Sequence, residues 1–295
     1  MVKNTALTVL FVLFGFSIIS AQEFSYGFKA GLNFSKVTTE DIEQFDGQDL
    51  EDFTQNSGFH LGAVLHTKFS DYFGVSVEFL FSQKGGRYAY DGPSYSRLNT
   101  FLGDEQTTKF GFRTMNLNTS NSYFDIPVAV YVRPVKWLEL SAGANVAVLI
   151  SSTASGDLVF RENSQSEEDA FRGITLDHRY FSDEPGDSAT DNIGSEIRVI
   201  NGVSLKLPKT STAYFDYPQG AETGLYNRFD AGVHAGMKLF INSSLYLGGR
   251  VNWGLRDITN DNVDRSLQEK DGVDLIFRDD KDTNLSIQAS IGFSF

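Results

Sequence analysis

Leu285-Ser286-Ile287-Gln288-Ala289-Ser290-Ile291-Gly292-Phe293-Ser294-Phe295 is the stretch whose reading decides the fold. Leu285, Ile287, Ala289, Ile291, Phe293 and Phe295 are apolar, and every residue between them is small or polar. A period of two held this long describes a β-strand with two chemically different faces. A helix, turning every 3.6 residues or so, would not segregate these side chains.

The same pattern recurs upstream. Eight segments read as strands long enough to cross a bilayer at a tilt, which takes about nine to eleven residues. They are Tyr26–Val37, Gly58–Phe69, Phe73–Gly85, Ser122–Arg133, Trp137–Ser152, Asn227–Phe240, Ser244–Asp257 and Thr283–Phe295. Gly58–Phe69 sets Phe59, Leu61, Ala63 and Leu65 against His60, Gly62, His66 and Lys68. Trp137–Ser152 sets Leu138, Leu140, Val146 and Val148 against Glu139, Ser141, Gly143 and Asn145.

The connections alternate as regularly as the strands. Ser70–Tyr72, Pro134–Lys136 and Ile241–Ser243 are short, whereas 38–57, 86–121, 153–226 and 258–282 are long. An up-and-down barrel with both termini in the periplasm has short periplasmic turns and long external loops. A compact soluble domain rarely carries four structureless connections of such length. Alternation alone also fits a soluble barrel, with apolar side chains inside. The membrane version is favoured by a polar face rich in Gly, Ser, Ala and Asn, with charges of both signs that can pair in a crowded lumen. The expected fold is an all-β, eight-stranded antiparallel up-and-down transmembrane β-barrel with long extracellular loops.

The N-terminal residues agree with that compartment. Lys3 followed by the uncharged apolar run Ala6–Ile19 and by Ser20-Ala21-Gln22 reads as a secretory signal peptide over 1–21, leaving the barrel domain at 22–295. The final strand resembles the terminal strand of bacterial outer-membrane barrels, which the barrel-assembly machinery recognises; Phe293 and Phe295 are its candidate insertion signal. The chain has no cysteine, so disulfide, thiolate and lipoprotein chemistry are excluded. Net charge is −13, and −14 without the one positive charge of residues 1–21, which argues against nucleic acid as a partner.

The stretches Tyr26–Ser35 (YGFKAGLNFS), Phe124–Val128 (FDIPV) and Phe229–Gly232 (FDAG) resemble the PorT-like outer-membrane β-barrel family. The resemblance spans the barrel strands and not the loops. It implies the fold, and for some members of the family assistance to protein secretion.

The expected lumen carries Lys29, His60, His66, Lys68, Glu78, Asp125, Glu139, Asp230, His234, Lys238, Arg250 and Gln288. Eight strands enclose only enough space for their own side chains, so these residues are expected to pair into a plug rather than line a pore. No spacing marks a metal site or a catalytic triad; Asp177-His178 is the one loop pair worth following. No cofactor is implied.

Loop 38–57 is acidic, with Glu40, Asp41, Glu43, Asp46, Asp49, Glu51 and Asp52 and no basic residue. A solvated surface or a divalent-cation bridge would account for it. Ile197, Val199, Val203, Leu205 and Leu207 flank Asn201-Gly202, which predicts an external hairpin, with a ten-stranded barrel as the alternative. Asp187-Ser188-Ala189 resembles an envelope O-glycosylation sequon at Ser188. The expected role is structural or interactive and non-enzymatic. Outer-membrane lipid, lipopolysaccharide, the assembly machinery and other envelope proteins are the candidate partners. An accessory role in secretion and a barrel enzyme acting on lipid or peptide are the alternatives.

Overall fold

The computed structural model describes residues 23–99, 106–162, 171–183, 195–200, 203–214, 224–271 and 274–295. Eight long strands run through them: β1 (Glu23–Thr38), β2 (Asn56–Lys68), β3 (Phe73–Asn99), β4 (Gln106–Val135), β5 (Leu138–Glu162), β6 (Phe229–Phe240), β7 (Leu245–Gly254) and β8 (Thr283–Ser294). Each pairs antiparallel with the next. β8 returns to β1, from Gly27 opposite Ser294 to Thr38 opposite Thr283, and the ring closes. Closure removes every free edge within the ring, which is what lets strands cross lipid.

The polarity is inverted relative to a soluble barrel. Leu32 is 54 % exposed, Val146 58 % and Ile287 52 %, whereas Glu78 is 1 % exposed and Asn33 and Glu139 are fully buried. Apolar side chains cover the outside and polar ones fill the inside, as a bilayer demands. Aromatic residues flank this belt. Tyr26 stacks on Phe295 and Phe69 lies against Phe73 near the short turns, while Phe59 lies against Phe81 at the other margin.

β3, β4 and β5 do not stop where the belt stops. Most of 86–121 and the first ten residues of 153–226, expected as loops, are continuations of these strands. The β3–β4 ladder runs from Phe73 opposite Val132 to Asn99 opposite Gln106. Along the lower part of this extension the polarity reverses, while at its tip Phe110 and Phe112 of β4 lie exposed again. On β4 the belt residues Phe124, Val128 and Val130 face outward, but beyond it Met115 and Leu117 turn inward and Asn116 and Asn118 face out. β5 makes the same change through a bulge. Tyr123 pairs with Leu149 and Ser122 with Ser151, so Ile150 is the extra residue. Val146 and Val148 below it point outward, while Ala154, Leu158 and Phe160 above it point inward.

The inward apolar residues assemble a second core at the long-loop end. Leu50, Tyr90, Met115, Leu158, Phe160, Ile174, Leu176 and Leu207 pack together there. Glu51–Thr54 adds to the edge of β3 and Phe171–Arg179 to the edge of β5. Ser195–Ile200 and Val203–Pro208 form the expected hairpin as a separate two-stranded sheet, so the ring stays at eight strands rather than ten.

Candidate functional site

Two regions carry the chemistry of this chain: the plug inside the ring, and a cavity in the second core above it. Strand parity builds the plug. Every second residue faces inward, and Gly74 and Gly292 leave room for large inward rings. A Cβ at Gly292 would collide with the Tyr246 ring, and one at Gly74 with Tyr131.

Among the described residues, three ionic clusters occupy the lumen. Nearest the short turns, Glu139 takes Arg133 on one oxygen at 2.8 Å and Lys238 on the other at 2.8 Å. In the middle, Glu78 lies 2.7 Å from Lys29 and 2.5 Å from Arg250. Towards the long loops the roles reverse, and Lys84 stands between Asp125 at 3.3 Å and Asp230 at 3.6 Å. Asn145 donates to Asp125, and Asn284 to Asp230. His60 bridges Asn33 at 2.7 Å and Ser290 at 2.9 Å. Each central ion is flanked by two of opposite sign, the arrangement that lets a buried charge persist.

Of the residues expected in the lumen, Lys29, His66, Glu78, Asp125, Glu139, Asp230, His234, Lys238 and Arg250 are buried inside the ring, as are His60 and Gln288. Lys68 is not. It sits at the short-turn rim, a third exposed, paired with Glu23 at 3.2 Å and Asp71 at 2.9 Å. It is the last residue of β2, where the lumen opens to water. Both ring nitrogens of His234 lack a hydrogen-bond partner among the described residues. Lys84 and Arg133 were missed, although both sit at inward positions of their strands and parity alone could have found them. Phe293 faces outward on β8, and the Phe295 amide donates to Tyr26. Ser188 and residues 1–22 lie outside the described residues.

The cavity, of about 190 Å³, lies between the plug and the long loops. Met115, Leu158, Leu176 and Tyr226 line its apolar side, and Glu51, Asp264, Arg278 and Asp282 its polar side. His178 also reaches it, with Nδ1 3.1 Å from the Tyr180 hydroxyl. No group of three or more metal-ligating side chains occurs among the described residues.

An arginine bridges the acidic loop to the last connection. Arg278 Nη1 donates to both oxygens of Glu51, at 2.9 and 3.0 Å, and Nη2 to Asp280 at 2.6 Å. Tyr88 donates to Glu51 at 2.8 Å, and Thr39 to Asp280 at 2.8 Å. Asp46, Asp49 and Asp52 are solvated as expected, but Glu51 is buried. Burial pushes Asp264 up to about 7 and Asp282 up to about 6, with neighbouring Asp280 adding to both shifts.

Solved structures of similar fold include three outer-membrane barrels. Ail, the attachment invasion locus protein of Yersinia pestis, is 10 % identical over 92 % of this chain and 99 % of its own, with a TM-score of 0.34. OprG from Pseudomonas aeruginosa is 12 % identical over 93 % and 97 %, with a TM-score of 0.36. Neisserial surface protein A is 10 % identical over 92 % and 99 %, with a TM-score of 0.31. No functionally curated protein matches the sequence. The model of the outer membrane protein beta-barrel domain matches residues 20–260, and the chain belongs to that family of integral outer-membrane proteins.

Proposed function

We propose that this protein is a closed, non-enzymatic barrel whose long-loop end stands outside the cell as a structural or interaction surface, with both termini in the periplasm. The polarity reversal along β3, β4 and β5 carries this reading. A wall that is apolar outside within the belt and polar outside beyond it belongs half in lipid and half in water. The paired plug leaves the lumen to the barrel's own side chains, so planar-bilayer recordings should show no large, stable conductance.

The absence of cysteine makes orientation directly measurable. Ser155→Cys lies on the exposed outer face of the extension, and Ser243→Cys in a short turn. A membrane-impermeant maleimide on intact cells is expected to label the first and spare the second. Labelling of Ser243→Cys alone would reverse the orientation and the reading with it. Lipopolysaccharide around the belt and the barrel-assembly machinery during insertion are the partners this reading requires.

The finer assignment, to PorT-like barrels and so to a secretion accessory, rests on the stretches beginning at Tyr26, Phe124 and Phe229. A gentle-detergent pull-down from the native membrane tests it. A stoichiometric set of envelope proteins would support it, and a barrel that purifies alone would leave the loop-presenting role.

A further inference from the structure

We propose that the cavity at the long-loop end is a binding site for a small amphipathic amine, with one ring against Met115, Leu158, Leu176 and Tyr226 and its ammonium group at Asp282 and Asp264. Size sets the first limit. A cavity of about 150 Å³ holds a benzene ring, so 190 Å³ admits a ring with a short arm. Chemistry sets the second. Asp282 lines the cavity and is only 7 % exposed; Thr39 and Thr259 lie beside its carboxylate, and its Oδ1 has no hydrogen-bond partner among the described residues.

The nearby cation does not answer that oxygen. Arg278 spends its hydrogen bonds on Glu51, Asp280 and the Asp41 carbonyl. Three further arginines line the cavity: Arg87 is exposed, Arg113 donates to the Tyr95 carbonyl at 2.7 Å, and Arg265 stands over the Tyr95 ring. Burial is the main cause of the raised pKa values of Asp264 and Asp282, and the Arg278 charge offsets it only in part. A buried carboxylate without a cation is costly, and a ligand ammonium would supply one while the apolar wall takes its ring. The site does not depend on which side of the membrane the long loops face.

Isothermal titration of the full-length protein in detergent, against matched empty micelles, tests this with 2-phenylethylamine, 2-phenylethanol and phenylacetate. The amine is expected to bind at least tenfold more tightly than either of the others, and Asp282→Asn to reduce its affinity at least tenfold. Equal binding of the alcohol would overturn the role of the carboxylates. Preference for phenylacetate would assign the cavity to an anion instead. Absence of binding by all three up to millimolar concentrations would overturn the site. Comparing the three probes on the wild-type protein decides the matter even if the variant does not fold.

Discussion

Arg278 and Glu51 are 227 residues apart in sequence and joined by two hydrogen bonds from a single guanidinium nitrogen. Their contact ties the first long connection to the last, above the seam where β1 pairs with β8. Glu51 is also bonded by the Glu43 amide and the Tyr88 hydroxyl. Removing the arginine therefore leaves a buried carboxylate without its cation, a change that costs about 3–5 kcal/mol. Arg278→Met should open residues 38–57 and 258–282 to protease at least tenfold faster. The ring itself should keep its heat-induced shift in gel mobility. Adding Glu51→Gln should recover part of the loss, because the uncompensated charge goes with it.

The cap should tighten as pH falls. Burial raises Asp264 to about 7 and Asp282 to about 6 from an ordinary 3.8. An acid raised in the folded state carries no penalty below about pH 4, where folded and unfolded forms both hold the proton. The penalty grows as pH rises through the ordinary value and is complete above the folded one. Between pH 8 and pH 5.5 cleavage within 258–282 should slow, once corrected for protease activity on an unstructured control. Faster cleavage at pH 5.5 would contradict the assignment.

Glu78 holds Lys29 and Arg250 together within the ring. Glu78→Leu leaves two buried like charges facing each other. The barrel should then lose its heat-modifiable band at a temperature lower by ten degrees or more, while remaining non-conducting because no side chain leaves the lumen.

Gly292 and Tyr246 are matched by volume. A side chain at 292 collides with a ring that is 1 % exposed and has Lys238 and Phe240 against it. Gly292→Val should cost about 1–3 kcal/mol as overpacking, and Tyr246→Ala in the same chain should return part of it. Additive losses in a double-mutant cycle would show that the two do not share space.

The ring of eight was legible because lipid enforces one rule on every spanning strand, and His60, Glu139 or Gln288 can be placed inside by counting in twos. The extensions were not legible, for the same physical reason. Apolar residues on β4 change from even positions, such as Phe124 and Val128, to odd ones, Leu117 and Met115. A window across that change shows no alternation, so a strand reads as a loop. The hairpin at Gln44–Asp49 left a local signal, Asp46-Gly47, both with positive φ. The Arg278–Glu51 bridge left none, since nothing in the sequence says which loops meet.

The bulge at Ile150 has a consequence for how such a wall can change in length. Two added residues in β3 or β4 extend the ladder by one repeat and keep every face as it was. One added residue exchanges wet and dry for everything beyond it, unless it is expelled from the ladder as Ile150 is. The height of the cap above the membrane is therefore quantised in residue pairs. A lineage that lengthens it by an odd number must leave a kink behind as the record.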